Sequence, residues 1–204
     1  MSRTLTLDAP ALLNGVEPRT RTWSKEEFYR LADLGYFRGQ RAELIEGEIM
    51  VMSPQKPEHY STTEQAAEVL RDAFGRRFHV RVQGPIDLGP HAEPEPDVAV
   101  VAGRREDYRK KHPKTAALVV EVSDTTLVYD QTRKASLYAR ARLLDYWIIN
   151  LVERQLEVYR EPRADETQPY GFGYAAATVF QLDERVAPLV KPKALIRVAD
   201  LFLA

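Results

Sequence analysis

Two carboxylates sit where strand composition would normally exclude them. Asp97 opens the run Pro96-Asp97-Val98-Ala99-Val100-Val101, and Glu121 lies inside Leu118-Val119-Val120-Glu121-Val122-Ser123. Both runs are apolar and rich in β-branched residues, the composition of buried strands. An acid in such a strand is expensive to desolvate without compensation. Two of them on neighbouring strands also repel, by about 4 kcal/mol at close range and intermediate dielectric. A divalent cation removes both problems at once. Lys134 follows inside a helical pattern. Asp, Glu and Lys together suit hydrolysis of a phosphodiester, which needs charge on the phosphoryl oxygens neutralised, a water deprotonated and a leaving alkoxide stabilised. Asp97, Glu121 and the carbonyl of Val122 form a sparse all-oxygen set that suits Mg²⁺ (or Mn²⁺) better than zinc. Lys134 is then placed to orient the water or to stabilise charge on the phosphate.

The elements that must position these groups are legible as a sequence of patterns. Residues 1–22 read as an extended lead-in. Trp23-Ser24-Lys25-Glu26-Glu27-Phe28 is a helix start, with Ser24 as cap and Glu27 closing a capping box, and the helix ends near Gly35. Ala42 to Met52 reads as a hairpin turning at Glu46-Gly47. A helix is expected from about Glu58 to Arg77, with Ala66, Ala67, Leu70, Ala73 and Phe74 as its apolar stripe. Val80–Gln83 and Ile86–Leu88 are expected as strand, followed by a proline-rich loop into Asp97. A polar crossover from Gly103 to Thr115 leads to the Glu121 strand, and a helix from about Asp130 to Arg142 leads to the strand Tyr146–Ile149. Gln155–Tyr159 pairs with that strand. Residues 161–204 read as a β-rich extension, with strands at Tyr174–Phe180 and Ala194–Val198. The order predicts an α/β (α+β) layered domain with a central mixed sheet flanked by helices, αβββαβ, on a single-domain chain whose core is residues 23–160.

The totals narrow the class. The chain has 204 residues, 44% hydrophobic content, no cysteine and a formal net charge of −1. The absence of thiols excludes disulfides and cysteine chemistry and fits a cytoplasmic protein. No apolar run is long enough to span a bilayer. Near-neutral charge argues against a metal-free nucleic-acid coat protein, not against a nuclease whose acids await a cation. Arg104 to Lys114 carries six basic residues against two acidic, with smaller clusters at Arg76-Arg77 and Arg133-Lys134. Taken singly, each reads as solvated surface.

The run from Leu118 through Glu121, then Tyr129-Asp130 with Lys134 and Tyr138-Ala139, then Asp145-Tyr146-Trp147-Ile148-Ile149-Asn150, resembles the Uma-type restriction endonucleases of the PD-(D/E)XK nuclease superfamily. The hairpin Glu43 to Glu48, Met52-Ser53-Pro54, His59 and Pro96-Asp97 match the same family. The resemblance implies a restriction-endonuclease-like core, Mg²⁺-dependent phosphodiester cleavage of DNA, and Asp97, Glu121 and Lys134 as the catalytic trio. The usual form of such a site has its lysine two residues after the glutamate. That position is Ser123 here, so Lys134 must reach the same point from the following helix. Arg142 stands where many relatives have glycine, and Asn150 where an aspartate often ends the strand.

Accessory candidates are Glu43, the acid of the hairpin closest to the apolar strand; His59, at a helix start; Gln83, beside the Asp97 strand; and Asp130, on the helix face of Lys134. Tyr138, Tyr146 and Trp147 read as packing. A homodimer is expected for an enzyme that cuts both strands, with the C-terminal β segment as its interface. The rival reading is a nuclease fold serving as a weakly catalytic or inactive binding or regulatory module. A two-carboxylate glycosidase ranks last, because the aromatics near the motif look buried.

Overall fold

The computed structural model describes residues 20–203; nearly all of the expected lead-in lies outside them. α1 (Lys25–Asp33) begins with the expected capping box. The Glu27 amide donates to the Ser24 hydroxyl at 3.3 Å, and the Ser24 amide donates to the Glu27 carboxylate at 3.0 Å. Gly35 follows its end at φ +85°, a conformation that suits glycine beyond a helix terminus. β1 (Arg41–Ile45) and β2 (Glu48–Met52) form a two-stranded hairpin. Both turn residues, Glu46 and Gly47, have positive φ, as a tight two-residue connection requires.

The main sheet has six strands: β3 (Phe78–Val82), β4 (Val98–Ala102), β5 (Leu118–Ser123), β6 (Asp145–Asn150), β7 (Gln155–Ala164) and β8 (Phe172–Phe180), hydrogen-bonded in that order. The β5–β6 pair is parallel and the others are antiparallel, so only this pair needs a crossover. It is supplied by α3 (Leu127–Tyr129), a single π turn (Asp130–Lys134) and α4 (Ala135–Arg140). α2 (Pro57–Phe74) covers one face of the sheet. Its Ala66, Ala67, Leu70 and Phe74 pack with Val98, Val100, Val120, Val122 and Trp147. Tyr138 and Leu137 of α4 pack on the other face with Ala99, Val119, Tyr146 and Ile148. Side chains alternate along a strand, so Asp97 and Glu121 share the α4 face with Ala99 and Val119. β4 pairs with β5 at Val98↔Val120, and one step further along this register sets Asp97 opposite Glu121.

Several expectations change. Ile86–Leu88 forms no strand. The Ile86 amide donates to the Pro94 carbonyl and the Leu88 amide to Ala92, a looped path through four prolines that lack ladder donors. The helix before β6 starts earlier, at Leu127, and stops at Arg140. Part of the β-rich tail joins the main sheet: β7 runs to Ala164 and β8 completes the sheet. Within the tail, β9 (Arg185–Val186) and β10 (Ile196–Arg197) form a ribbon of their own, the expected strand at Ala194–Val198 being cut short beside a 3-10 turn at Val198–Leu201. Among the described residues no helix is long and apolar enough to cross a membrane.

Candidate active site

Asp97, Glu121 and Lys134 converge. All three line one solvent-open pocket of about 70 Å³ at the mouth of the β4–β5 pair, between the start of α2 and the π turn. The acids are cross-linked through backbone. The Asp97 amide donates to Glu121 Oε2 at 3.1 Å, and the Val122 amide donates to Asp97 Oδ2 at 2.9 Å. Lys134 Nζ reaches Glu121 Oε1 at 3.2 Å and Glu43 Oε2 at 2.6 Å. Glu43 is thus drawn into the site by its strand position. Glu46, in the turn, and Glu48, just after it, pair instead with Arg140 and Arg133.

The other accessory candidates are here too. His59 Nε2 lies 3.3 Å from Asp97 Oδ2, while its Nδ1 is buried without a partner. Gln83 Nε2 lies 3.4 Å from Asp97 Oδ1. Gln83 also has φ +48°, a strained backbone for a non-glycine residue of the kind found at functional sites. Asp130 accepts from the hydroxyls of Ser123 and Thr126, both at 2.7 Å. Ser123 occupies the strand position where the usual form of such a site carries its lysine, and it holds the helix acid Asp130. The π turn, a feature common at functional sites, lies directly before α4 and carries both Asp130 and Lys134 into the buried interior. Val122 lines the pocket and commits its amide to Asp97.

Two contributors escaped the sequence reading. Gln55 Nε2 approaches Asp97 Oδ1 at 3.3 Å from the loop before α2. The Tyr138 hydroxyl donates to Glu121 Oε1 at 2.6 Å. Tyr138 is packed in the core as expected, and its polar tip serves the site as well. A buried tyrosine needs a partner for its hydroxyl, which is the one signal that pointed there.

The electrostatics are dominated by acid. Six carboxylates line the pocket (Glu43, Glu95, Asp97, Glu121, Asp124, Asp130) against Arg41, Lys56, Lys134 and His59. Burial pushes the Glu121 carboxyl up to about 8. Lys134 opposes that rise and the charges of Asp97, Asp130 and Glu43 add to it. Burial likewise raises Asp130, to about 6. Burial works against the Lys134 ammonium, yet Glu121 and Glu43 together outweigh it and hold its pKa well above the usual lysine value. For His59 the Asp97 carboxylate outweighs burial, and the net shift is upward. A pocket with this excess of buried negative charge takes up either protons or a cation. Its acids offer oxygen donors, the chemistry that Mg²⁺ and Mn²⁺ prefer, so Asp97 and Glu121 fit a divalent ion. Among the described residues no three His, Asp or Glu side chains form a ready-made cage. An ion here would be held by Asp97 and Glu121 and would keep waters.

A central mixed sheet with helices on both faces and paired acids on adjacent strands is the architecture of restriction-endonuclease-like proteins. The crystal structure of "a putative nuclease belonging to DUF820" from Anabaena variabilis has the same fold: TM-score 0.65 at 18% identity, over 88% of this chain and 97% of that one. The chain belongs to the Uma2 family, described as "Putative restriction endonuclease", whose profile matches residues 25–190. That membership places it among nuclease-type enzymes. No curated protein matches it.

Proposed function

We propose that the chain is a Mg²⁺-dependent endonuclease that hydrolyses DNA at the Asp97–Glu121–Lys134 pocket. The observation that carries this reading is the convergence of those three groups on a single pocket open to solvent. The pocket has room for a few water-sized species and none for a nucleotide, so the scissile phosphate would rest at its mouth. A divalent ion on Asp97 and Glu121 would supply charge neutralisation and a more acidic water. Glu121 and Glu43 raise the Lys134 pKa, which favours the ammonium as a charged donor over a role as general base. An ammonium has three N–H donors; Glu43 and Glu121 take two, and the third is available to a water or a phosphoryl oxygen. His59 and Val122 hold the Asp97 carboxylate in place, and Tyr138 does the same for Glu121. Two copies of this single site would be needed to cut both strands of a duplex, which supports a homodimer, and a cysteine-free chain acting on DNA suits the cytoplasm.

The test is incubation of purified protein with supercoiled plasmid and Mg²⁺ or Mn²⁺. Nicking or linearisation by wild type, lost in Asp97→Ala and Glu121→Ala, is the expected result. Identical behaviour of wild type and both variants would discard the catalytic reading in favour of a binding or regulatory module.

A further inference from the structure

The basic clusters that read singly as solvated surface do not stay apart. Arg71 and Arg76, at the end of α2, and Arg105, at the start of the 103–115 crossover, meet His79 of β3 around one crevice of roughly 340 Å³. No acid lines it; the neighbouring Asp72 and Glu106 are outside its walls. Among the described residues Arg41, Arg133, Arg140 and Arg160 each close on a carboxylate, whereas Arg71, Arg76 and Arg105 close on none. A second observation lies two residues along the strand. The half-buried Arg81 guanidinium also has no carboxylate. It touches only the Pro85 carbonyl and His112, stacks near Tyr108, and leaves its Nε buried without a partner. A desolvated, unpaired guanidinium is costly unless an anion completes it. The local field is positive enough to be felt: after burial, Arg81, Arg105 and Arg71 depress the His79 pKa.

The lane has a direction. β3 is an edge strand of the main sheet. Its Val82 pairs with Val98, next to Asp97, and its Phe78 pairs with Ala102, beside the crevice. Four residues of strand span about 14 Å, which matches roughly four base steps at 3.4 Å each. We infer that Arg81, His79, Arg71, Arg76 and Arg105 form a phosphate-binding lane along the β3 edge, which holds the backbone of a nucleic acid about four nucleotides from the catalytic pocket. This rests on the nucleic-acid part of the proposed function, not on catalysis.

The experiment is fluorescence anisotropy of a labelled 20-bp DNA duplex in EDTA, over a salt series, for wild type, Arg76→Glu/Arg105→Glu and the milder Arg76→Gln/Arg105→Gln. Both arginines are exposed and unpaired, and thermal melts confirm folding. Each lost phosphate contact lowers the log–log salt slope by about 0.9, so the double variants should show a slope shallower by about 2 and binding weaker by about tenfold. Variants that match wild type in affinity and slope would overturn the lane, as would variants that change the binding of inorganic phosphate but not of duplex. Wild type failing to cut plasmid while binding duplex through these arginines would retire the catalytic reading and leave the lane standing. Cutting with crevice-independent binding would do the reverse.

Discussion

Replacing Lys134 by methionine keeps an unbranched side chain as far as Cε and deletes the ammonium. Lys134 and Glu43 are each about 2% exposed, and the ammonium is shared between Glu43 at 2.6 Å and Glu121 at 3.2 Å. Removing one member of a buried ion pair costs about 3–5 kcal/mol, because the partner is left charged in a poor solvent. Here Glu43 loses its partner, while Glu121, raised to about 8 in the metal-free fold, holds a proton at pH 7 and is not left charged, so the lower figure applies. For a domain of this size each kcal/mol moves Tm by roughly 2–4 °C, and the expected fall is about 6–12 °C. The double variant Glu43→Gln/Lys134→Met removes the stranded charge and should melt above the single variant. Mn²⁺ should raise the Tm of Lys134→Met more than that of wild type, because it supplies the missing positive charge. Thermal melts by circular dichroism at pH 7, in EDTA and then in Mn²⁺, measure all three. A Tm for Lys134→Met within about 2 °C of wild type, or a double variant that melts below it, would show that the ammonium is not what holds these acids together.

The Glu121 carboxyl is raised from 4.5 to about 8 in the fold, so in the absence of metal the native chain holds a proton that the unfolded chain releases. Its contribution to stability is complete below pH 4.5 and is lost as pH rises to about 8. Glu121→Gln should therefore flatten the decline of Tm between pH 5 and 8 in EDTA while eliminating plasmid cleavage. Arg142 sits at φ +58°, where a side chain costs about 1 kcal/mol. Arg142→Gly should raise Tm by about 2 °C and leave cleavage unchanged, read by melts and plasmid assay together. Asp145 is buried and accepts from the Trp147 indole, Arg160 and the Leu189 amide. Asp145→Asn should cost about 2–4 kcal/mol of denaturant-unfolding stability with no loss of duplex binding.

What the chain disclosed in advance followed from local physics. The Ser24–Glu27 capping box, the Glu46-Gly47 turn and the two acid-bearing strands each depend on residues a few positions apart, so their patterns survive in one dimension. Glu43 was recognisable because an acid on an apolar strand already looked out of place, and His59 because it is among the residues that carry the family resemblance, a histidine at a helix start being ordinary by itself. Gln55 gave no such sign, since a glutamine in a loop is ordinary until Asp97 folds against it. The hydroxyl of Tyr138 was hidden behind its ring, whose packing accounted for the residue by itself. Ile86–Leu88 had the composition of a strand, but the Ile86 and Leu88 amides donate to the Pro94 and Ala92 carbonyls across the same loop. Nor could β8 be assigned to the main sheet, because strand composition does not say which neighbour a strand will choose.

The ammonium of this site is carried by a helical segment and not by the sheet that bears its carboxylates. A strand is pinned by neighbours on both sides, whereas the segment from Leu127 to Arg140 is seated by side-chain packing and by the hold of Ser123 and Thr126 on Asp130. The place of the cation relative to the acids is therefore set by that packing and by its ion pairs with Glu43 and Glu121, and a substitution that shifts the segment would move the ammonium without breaking a rung of the sheet.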